Sequence, residues 1–240
     1  MIYTEQYTVR WHDTDFNLVA TPSALLTFMQ ETANHHLDYL GSPLDEIRDT
    51  RGIGFILSKL AMQTYAPLHA YDKIDVETWV GDDHGFRFHR AFRILRDNET
   101  IAEALTVWAL IRIEDHSLLR VDEFDVPFQP EALPDLKVPA RIRFPLDPLI
   151  KRGERTVCYS DADYNQHMNN TRYPNMLCDF LPDMHGKYVA SLNLSYVNEA
   201  HLGEIIAGYS RQETDGAWYV RTLRENGDTN AEARITLADL

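Results

Sequence analysis

Apolar residues recur at helical spacing in one long stretch near the start of the chain and at strand spacing over most of the remainder. Leu25, Leu26, Met29, Ala33, Leu37 and Leu40 share one helical face. Thr21 is suited to cap that helix, Pro22 occupies a first-turn position where its missing N–H costs nothing, and Gly41 supplies the stop. Residues 73–80 then alternate, with Ile74, Val76, Thr78 and Val80 on one face. Residues 86–95 do the same with Phe86, Phe88, Arg90, Phe92 and Ile94. Residues 101–113 are almost continuously apolar, as in a central strand. A second, shorter helix begins at Asn169 or Asn170, carries Tyr173, Met176, Leu177, Phe180 and Leu181, and keeps Pro174 near its first turn. Strand-like runs at 189–197, 204–209, 218–223 and 231–237 come after it. One helix and then several strands, twice over, predicts an α+β protein in which each sheet curls around a helix. Two such sheets can pair edge to edge and cover strand edges that would otherwise be open.

The doubling is also visible residue by residue. Trp11-His12-Asp13-Thr14-Asp15-Phe16-Asn17 lines up with Tyr159-Ser160-Asp161-Ala162-Asp163-Tyr164-Asn165, and Leu95-Arg96-Asp97-Asn98-Glu99 with Leu223-Arg224-Glu225-Asn226-Gly227. Ala102-Glu103-Ala104 lines up with Ala231-Glu232-Ala233, in the same order. Between the copies lie Pro127, Pro130, Pro134, Pro139, Pro145 and Pro148, which predict extended, non-helical chain. The expected division is a first unit at 1–126, a linker at 127–148 and a second unit at 149–240.

With 240 residues, 44% hydrophobic and 25% charged, the composition is that of a globular protein with a substantial core. The net charge of −14 disfavours nucleic acid and anionic membrane as partners. No apolar run approaches a membrane span, and Met1 to Gln6 has the look of neither a signal nor a transit peptide, so the expected setting is cytoplasmic. Two cysteines, Cys158 and Cys178, make neither a disulfide framework nor a paired-cysteine zinc site and are expected to be buried structural thiols. The pair His35-His36 is expected on a partly exposed helix face rather than in a metal site, and no metal is expected elsewhere.

The copies differ where chemistry would need them to. The second reads Asp163-Tyr164-Asn165-Gln166-His167-Met168-Asn169-Asn170, whereas the first keeps Asp15 and Asn17 but has Val19 in place of His167. Aligning Tyr65-Ala66-Pro67-Leu68 with Tyr196-Val197-Asn198-Glu199 sets Leu68 against Glu199. A histidine and a carboxylate present in one copy only suit a long apolar substrate with one reactive bond. A carboxylate can activate water, particularly if partly buried, and an amide or imidazole N–H can steady a developing oxyanion. Asp13, Asp15 and Asn17 read as remnants that hold the same turn, and Asp161 as a turn cap.

The octapeptide from Asp163 to Asn170 resembles the active-site signature of the acyl-acyl carrier protein thioesterase family. Leu194-Ser195-Tyr196-Val197-Asn198-Glu199 resembles that family's second catalytic stretch, and Phe55-Ile56-Leu57-Ser58 and Glu77-Thr78-Trp79 resemble its amino-terminal half. The resemblance implies a tandem hotdog fold with an acyl-binding first unit and a catalytic second unit. It implies release of fatty acid from acyl carrier protein by water, without a cofactor. It places catalysis on Asp163, Asn165, His167 and Glu199: Glu199 as general base, Asn165 and His167 on the thioester carbonyl, and Asp163 either orienting the group or attacking as nucleophile. Plant members carry a cysteine directly after the glutamate; this chain has Ala200 there.

The resemblance also implies an acyl chain lying against the first unit's helix and strands, near Met29, Ala33 and Phe55, with Asn169 and Asn170 also at the substrate. The partner would be the acidic acyl carrier protein, docked on a basic cluster of Arg141, Arg143, Lys151, Arg152 and Arg155, by a monomer or homodimer. The competing readings are a coenzyme A thioesterase, a hotdog 3-hydroxyacyl dehydratase and a non-catalytic acyl-binding module.

Overall fold

The computed structural model describes residues 1–144 and 147–240; Pro145 of the proline-rich stretch lies outside the described residues. The first half runs β1 (Tyr3–Thr8), α1 (Pro22–Tyr39), α2 (Leu44–Asp49), β2 (Ile53–Thr64), β3 (Lys73–Val80), β4 (Phe88–Arg96), β5 (Glu99–Arg112) and a short β6 (Leu118–Leu119). The second runs β7 (Ile150–Thr156), α3 (Tyr173–Cys178), β8 (Lys187–Tyr196), β9 (Ile205–Gln212), β10 (Trp218–Arg224) and β11 (Thr229–Asp239). All the strands join one antiparallel sheet in the order β1-β3-β4-β5-β2-β8-β11-β10-β9-β7, with β6 against β5. Read from either end the order is the same once each strand is matched with its repeat. The halves meet where β2 pairs with β8, from Lys59 opposite Ser195 to Gln63 opposite Ser191. This is the double hotdog that the sequence led us to expect.

Helix α1 packs on β1 and β3, α2 on β2, and α3 against α1. Thr21 accepts a hydrogen bond from the Ala24 amide at 3.1 Å, Pro22 opens α1, and Gly41 takes a positive φ of 69° just beyond its end. Leu25, Leu26, Met29 and Ala33 from α1 join Leu60 and Met62 of β2, Leu192 and Leu194 of β8, and Met176 and Leu177 of α3 in one core that crosses the seam. The helices are also locked end to end: the Ser23 amide donates to Asn175 Oδ1 at 3.1 Å and the Asn175 amide donates to Ser23 Oγ at 3.0 Å. Ser23 follows Pro22 as Asn175 follows Pro174, so each copy caps the other with the same position.

Several patterned expectations shift in the structure. Strand β4 starts at Phe88, so Phe86 lies outside it, 48% exposed, beneath the Arg120 guanidinium. Phe180 and Leu181 follow the end of α3 instead of continuing it. Trp79 is buried on the face opposite to Thr78 because the proline-rich stretch crosses there: Leu133, Leu136 and Val138 pack on Trp79, Ala91 and Leu105, and Trp79 Nε1 donates to the Ala132 carbonyl at 2.9 Å. No helix or strand forms between residues 124 and 149 among the described residues, yet the stretch is a packed strap, not a solvated tether.

Where α1 fills the first half, the much shorter α3 leaves room that Phe180 occupies. Its ring lies over Gly208 of β9, so that a Cβ at that position would come within 2.1 Å of the ring. Gly208→Ala should lower stability by about 1–3 kcal/mol, the usual cost of overpacking, seen as a reduced midpoint in chemical denaturation.

Candidate active site

The turn from Asp163 to Met168 owes its shape to one carboxylate. Asp163 Oδ1 accepts from the Asn165 amide at 2.8 Å and from the His167 amide at 3.4 Å, and Gln166 takes a φ of 62°. In the first half Asp15 Oδ1 accepts from Asn17 at 2.8 Å and Val19 at 3.4 Å, with Leu18 at a φ of 63°. Below each turn lies a second buried carboxylate. Asp161 takes both bonds from Arg155 Nη2 at 2.7 Å and the Cys158 amide at 2.9 Å. Asp13 is held by Arg10 and accepts the Arg10 amide at 2.7 Å. Asp161, Asp13 and Asp15 thus hold turns as the sequence suggested, whereas the Asn17 side chain reaches across to residues 184–187.

The bonding pattern corrects one alignment. The Ala20 amide donates to the Leu68 carbonyl, and the Met168 amide to the Ala200 carbonyl, so the counterpart of buried Leu68 is buried Ala200 and Glu199 corresponds to Pro67. A short match around one shared tyrosine had placed the register one residue off.

On this frame His167 and Glu199 meet. His167 Nδ1 lies 3.0 Å from Glu199 Oε2, with the imidazole 26% and the carboxylate 59% exposed. The partial burial considered for Glu199 is therefore slight, and the group is open to water. His201 packs edge to face on His167 with ring centroids 4.5 Å apart, and an isolated backbone bridge joins the two. The stretch leading to Glu199 is anchored by Asn230, which is fully buried. Its carbonyl accepts from the Val197 and Asn198 amides, and its Nδ2 donates to the Asn198 carbonyl at 2.6 Å and to Tyr173 Oη at 3.1 Å. Thr222 Oγ1 donates to Asn230 Oδ1 at 2.9 Å and completes the network. Burial pushes the Tyr173 phenol above its ordinary value, which keeps it a neutral hydrogen-bonding group.

Asp163, Asn165, His167, Glu199, Asn169 and Asn170 all line one cleft of about 1720 Å³ that runs between the halves and along α1. Ala33 and Phe55 line it further in. Met29, expected there, does not line the cleft and is fully buried in the core beside Leu25 and Leu26. Asn169 Oδ1 caps its own turn by accepting from the Thr171 amide at 2.9 Å, and the Asn170 carbonyl accepts from Tyr196 Oη at 3.0 Å.

The equivalent place in the first half is closed. Val19, Pro67 and Leu68 line a void of only about 10 Å³. Asn17 Nδ2 donates to the Met184 and Lys187 carbonyls at 2.7 and 3.0 Å, its Oδ1 accepts from Gly186, and Phe16 stacks on His185. Asn165 makes no such side-chain bond among the described residues, and Tyr164, the counterpart of Phe16, lies under Arg48 at 5.2 Å.

Three members of the expected basic cluster are engaged within the chain, although Lys151 and Arg152 stay exposed. Lys151 is paired with Glu154, Arg152 donates to Ser210 Oγ and stacks on Trp218, and Arg155 holds Asp161 and Asp179. Arg141 and Arg143 are exposed and make no ion pair among the described residues. Arg48 and Arg172, which line the cleft, were not singled out in the sequence, nor were His201 and Asn230. The only hint of the last two was their place within or opposite the second motif stretch.

Cys158 is exposed, contrary to expectation, whereas burial pushes the Cys178 thiol up to about 12 and leaves it inert. The histidine pair divides: His35 meets Glu5 at 2.5 Å on the surface, but His36 is 2% exposed, stacked on Tyr3. Among the described residues no group of three or more His, Cys, Asp or Glu side chains is disposed to hold a metal.

Family models describe what the chain resembles. The model of the acyl-ACP thioesterase N-terminal domain matches residues 1–126, and that of the acyl-ACP thioesterase C-terminal domain matches residues 150–239. Among curated proteins, the chain is 25% identical over 258 residues to oleoyl-acyl carrier protein thioesterase 2 of Arabidopsis thaliana, covering 97% of this chain and 69% of that protein. It is 21% identical over 237 residues to a palmitoyl-acyl carrier protein thioesterase of Cuphea hookeriana, covering 91% and 57%. The fold matches an acyl-ACP thioesterase crystal structure from Bacteroides thetaiotaomicron with a TM-score of 0.88 at 22% identity, covering 99% of this chain and 98% of that one. It matches the 12:0-ACP thioesterase of Umbellularia californica with a TM-score of 0.83 at 16% identity, covering 100% and 98%.

Desolvation, and then the Arg90 charge, hold His36 down at about 4. The unfolded chain protonates this ring near its ordinary value while the fold still refuses the proton. Stability contributed by neutral His36 is thus complete above that ordinary value and is lost as pH falls toward 4, by up to about 3 kcal/mol. His36→Phe should flatten this part of the stability profile, measured by denaturation between pH 7 and 4.

Proposed function

The chain belongs to the acyl-ACP thioesterase family, and on that footing we propose that it hydrolyses the thioester of fatty acyl-acyl carrier protein, releasing free fatty acid and the carrier thiol. The observation that carries this reading is the contact of His167 Nδ1 with Glu199 Oε2 at 3.0 Å on the wall of a cleft of about 1720 Å³. Glu199, reachable by solvent, takes a proton from water as the oxygen attacks the carbonyl carbon. The unclamped amide of Asn165 and the imidazole of His167 bind the carbonyl oxygen and steady its developing charge. As the C–S bond breaks, the Glu199–His167 pair returns a proton to sulfur and the product leaves as a carboxylic acid.

Asp163 serves this site by orienting it. Its first-half twin Asp15 makes the same two bonds beneath a turn with no chemistry, which supports a scaffolding role over a nucleophilic one. Asn230 acts at the same level, through the stretch that carries Glu199. No thiol is used: Ala200 follows Glu199, and neither Cys158 nor Cys178 lines the cleft.

The partner in this reading is acyl carrier protein, bound through local basic groups that outweigh the repulsion of two acidic proteins. Arg172 on the cleft, with Arg141 and Arg143, are the cations best suited to it. The setting is termination of fatty acid synthesis in the cytoplasm; none of the described helices is long and apolar enough to cross a membrane.

Glu199→Ala and His167→Ala should each lower hydrolysis by roughly two to four orders of magnitude, followed as free fatty acid from an acyl carrier protein panel of varied chain length; near-wild-type rates in both would refute the assignment. Cys158→Ala combined with Cys178→Ala should leave turnover largely intact. Arg172→Glu should raise KM for acyl carrier protein substrates more at low salt than at high salt, with a smaller effect on the corresponding coenzyme A thioester.

A further inference from the structure

We propose that the part of the cleft lined by Arg90 is an oxygen-recognising subsite, in which Arg90 binds a hydroxyl, oxo or carboxylate oxygen on the distal part of the acyl chain. This rests on the thioesterase reading above and concerns which acyl chains that site takes.

Arg90, on β4, lines the cleft, as do Ala33, Leu37, Phe55, Phe88 and Trp108. It is 3% exposed, and among the described residues it has no carboxylate partner. Among those residues its side-chain hydrogen bonds leave only from Nη1, to His36 Nδ1 at 3.2 Å and Thr78 Oγ1 at 3.3 Å. Other arginines of this sheet are neutralised: Arg93 meets Glu77 at 3.1 Å, Arg96 meets Asp72 at 2.8 Å, Arg221 meets Glu232 at 2.8 Å and Arg224 meets Glu204 at 2.7 Å. Phe88 and Phe128 flank the Arg90 guanidinium at 5.8 and 5.3 Å. Their ring faces stabilise the charge, but they offer no acceptor for the planar fork of N–H groups.

His36 contributes no second positive charge, because burial keeps it neutral at ordinary pH. Arg90 therefore brings more donors than acceptors to this part of the cleft. A methyl-ended chain would leave them desolvated and unmet, whereas an oxygen would satisfy them, and sites built on buried donors discriminate strongly against ligands that lack the matching atom.

The test uses the full-length protein and acyl carrier protein substrates of matched lengths that end in methyl, hydroxyl or carboxylate. Wild-type kcat/KM should favour an oxygenated end by about tenfold or more at the matching length, the scale of a hydrogen bond to a charged group. Arg90→Met should abolish or invert that preference, and Arg90→Lys should retain part of it for the carboxylate. Equal or better turnover of methyl-ended chains by the wild type at every length overturns the proposal, whether or not Arg90→Met folds. So does an unchanged ratio in a folded Arg90→Met protein. If neither series is hydrolysed, it is the activity reading that fails. Binding of free fatty acids with the same three ends, followed by tryptophan fluorescence, then decides the subsite: tighter binding of oxygenated chains supports it, and equal or weaker binding overturns it.

Discussion

The arrangement depends on how the two halves are fastened. The β2–β8 pairing makes one sheet of two, and Ser23 and Asn175 cap each other's helix across the seam. Buried amides without partners are costly, so this reciprocal exchange fixes the distance and tilt of α1 relative to α3. The cleft lies on the same seam, with α1 on one side and the His167 turn on the other. Its walls belong to different halves, and the joint sets their separation.

The doubled turn separates scaffold from chemistry. Backbone bonds, the capping aspartate and the left-handed residue are shared by both copies; the side chains above them differ. His167, Glu199 and an unclamped Asn165 occupy one copy, and Val19, Pro67 and a clamped Asn17 the other. A frame that can exist without function explains why the site tolerates an exposed carboxylate: Glu199 is placed by the rigid stretch behind it, which buried Asn230 pins, and not by its own packing.

Much of this was legible in the sequence because it rests on local periodicity. The Thr21 cap, Pro22 and the apolar face of α1 specified the first helix, and alternation marked β3 closely. The meeting of His167 and Glu199 could be anticipated only because a collinear repeat and a motif resemblance put both in one copy. What escaped was nonlocal. Nothing in the residues near Trp79 shows that a proline-rich strap will cover it, and His36 looks like any helix-surface histidine until Arg90 and Tyr3 arrive from distant strands. Met29, which family architecture set beside the acyl chain, lies instead in the core with Leu25 and Leu26. Nor did adjacency in sequence reveal that Arg155, one of the five expected docking cations, turns inward to Asp161.

The palindromic strand order has an evolutionary corollary. Had the halves been separate identical molecules, any substitution at one reactive turn would have appeared at its mate as well, and assembly would have depended on how much protein was present. A single gene encoding both copies removes each restriction. Association becomes intramolecular, and one turn is free to decay into a plug while its sibling keeps an opening. The 10 Å³ remnant beside Val19 and the wide cleft beside His167 are what independent drift of twinned positions leaves behind.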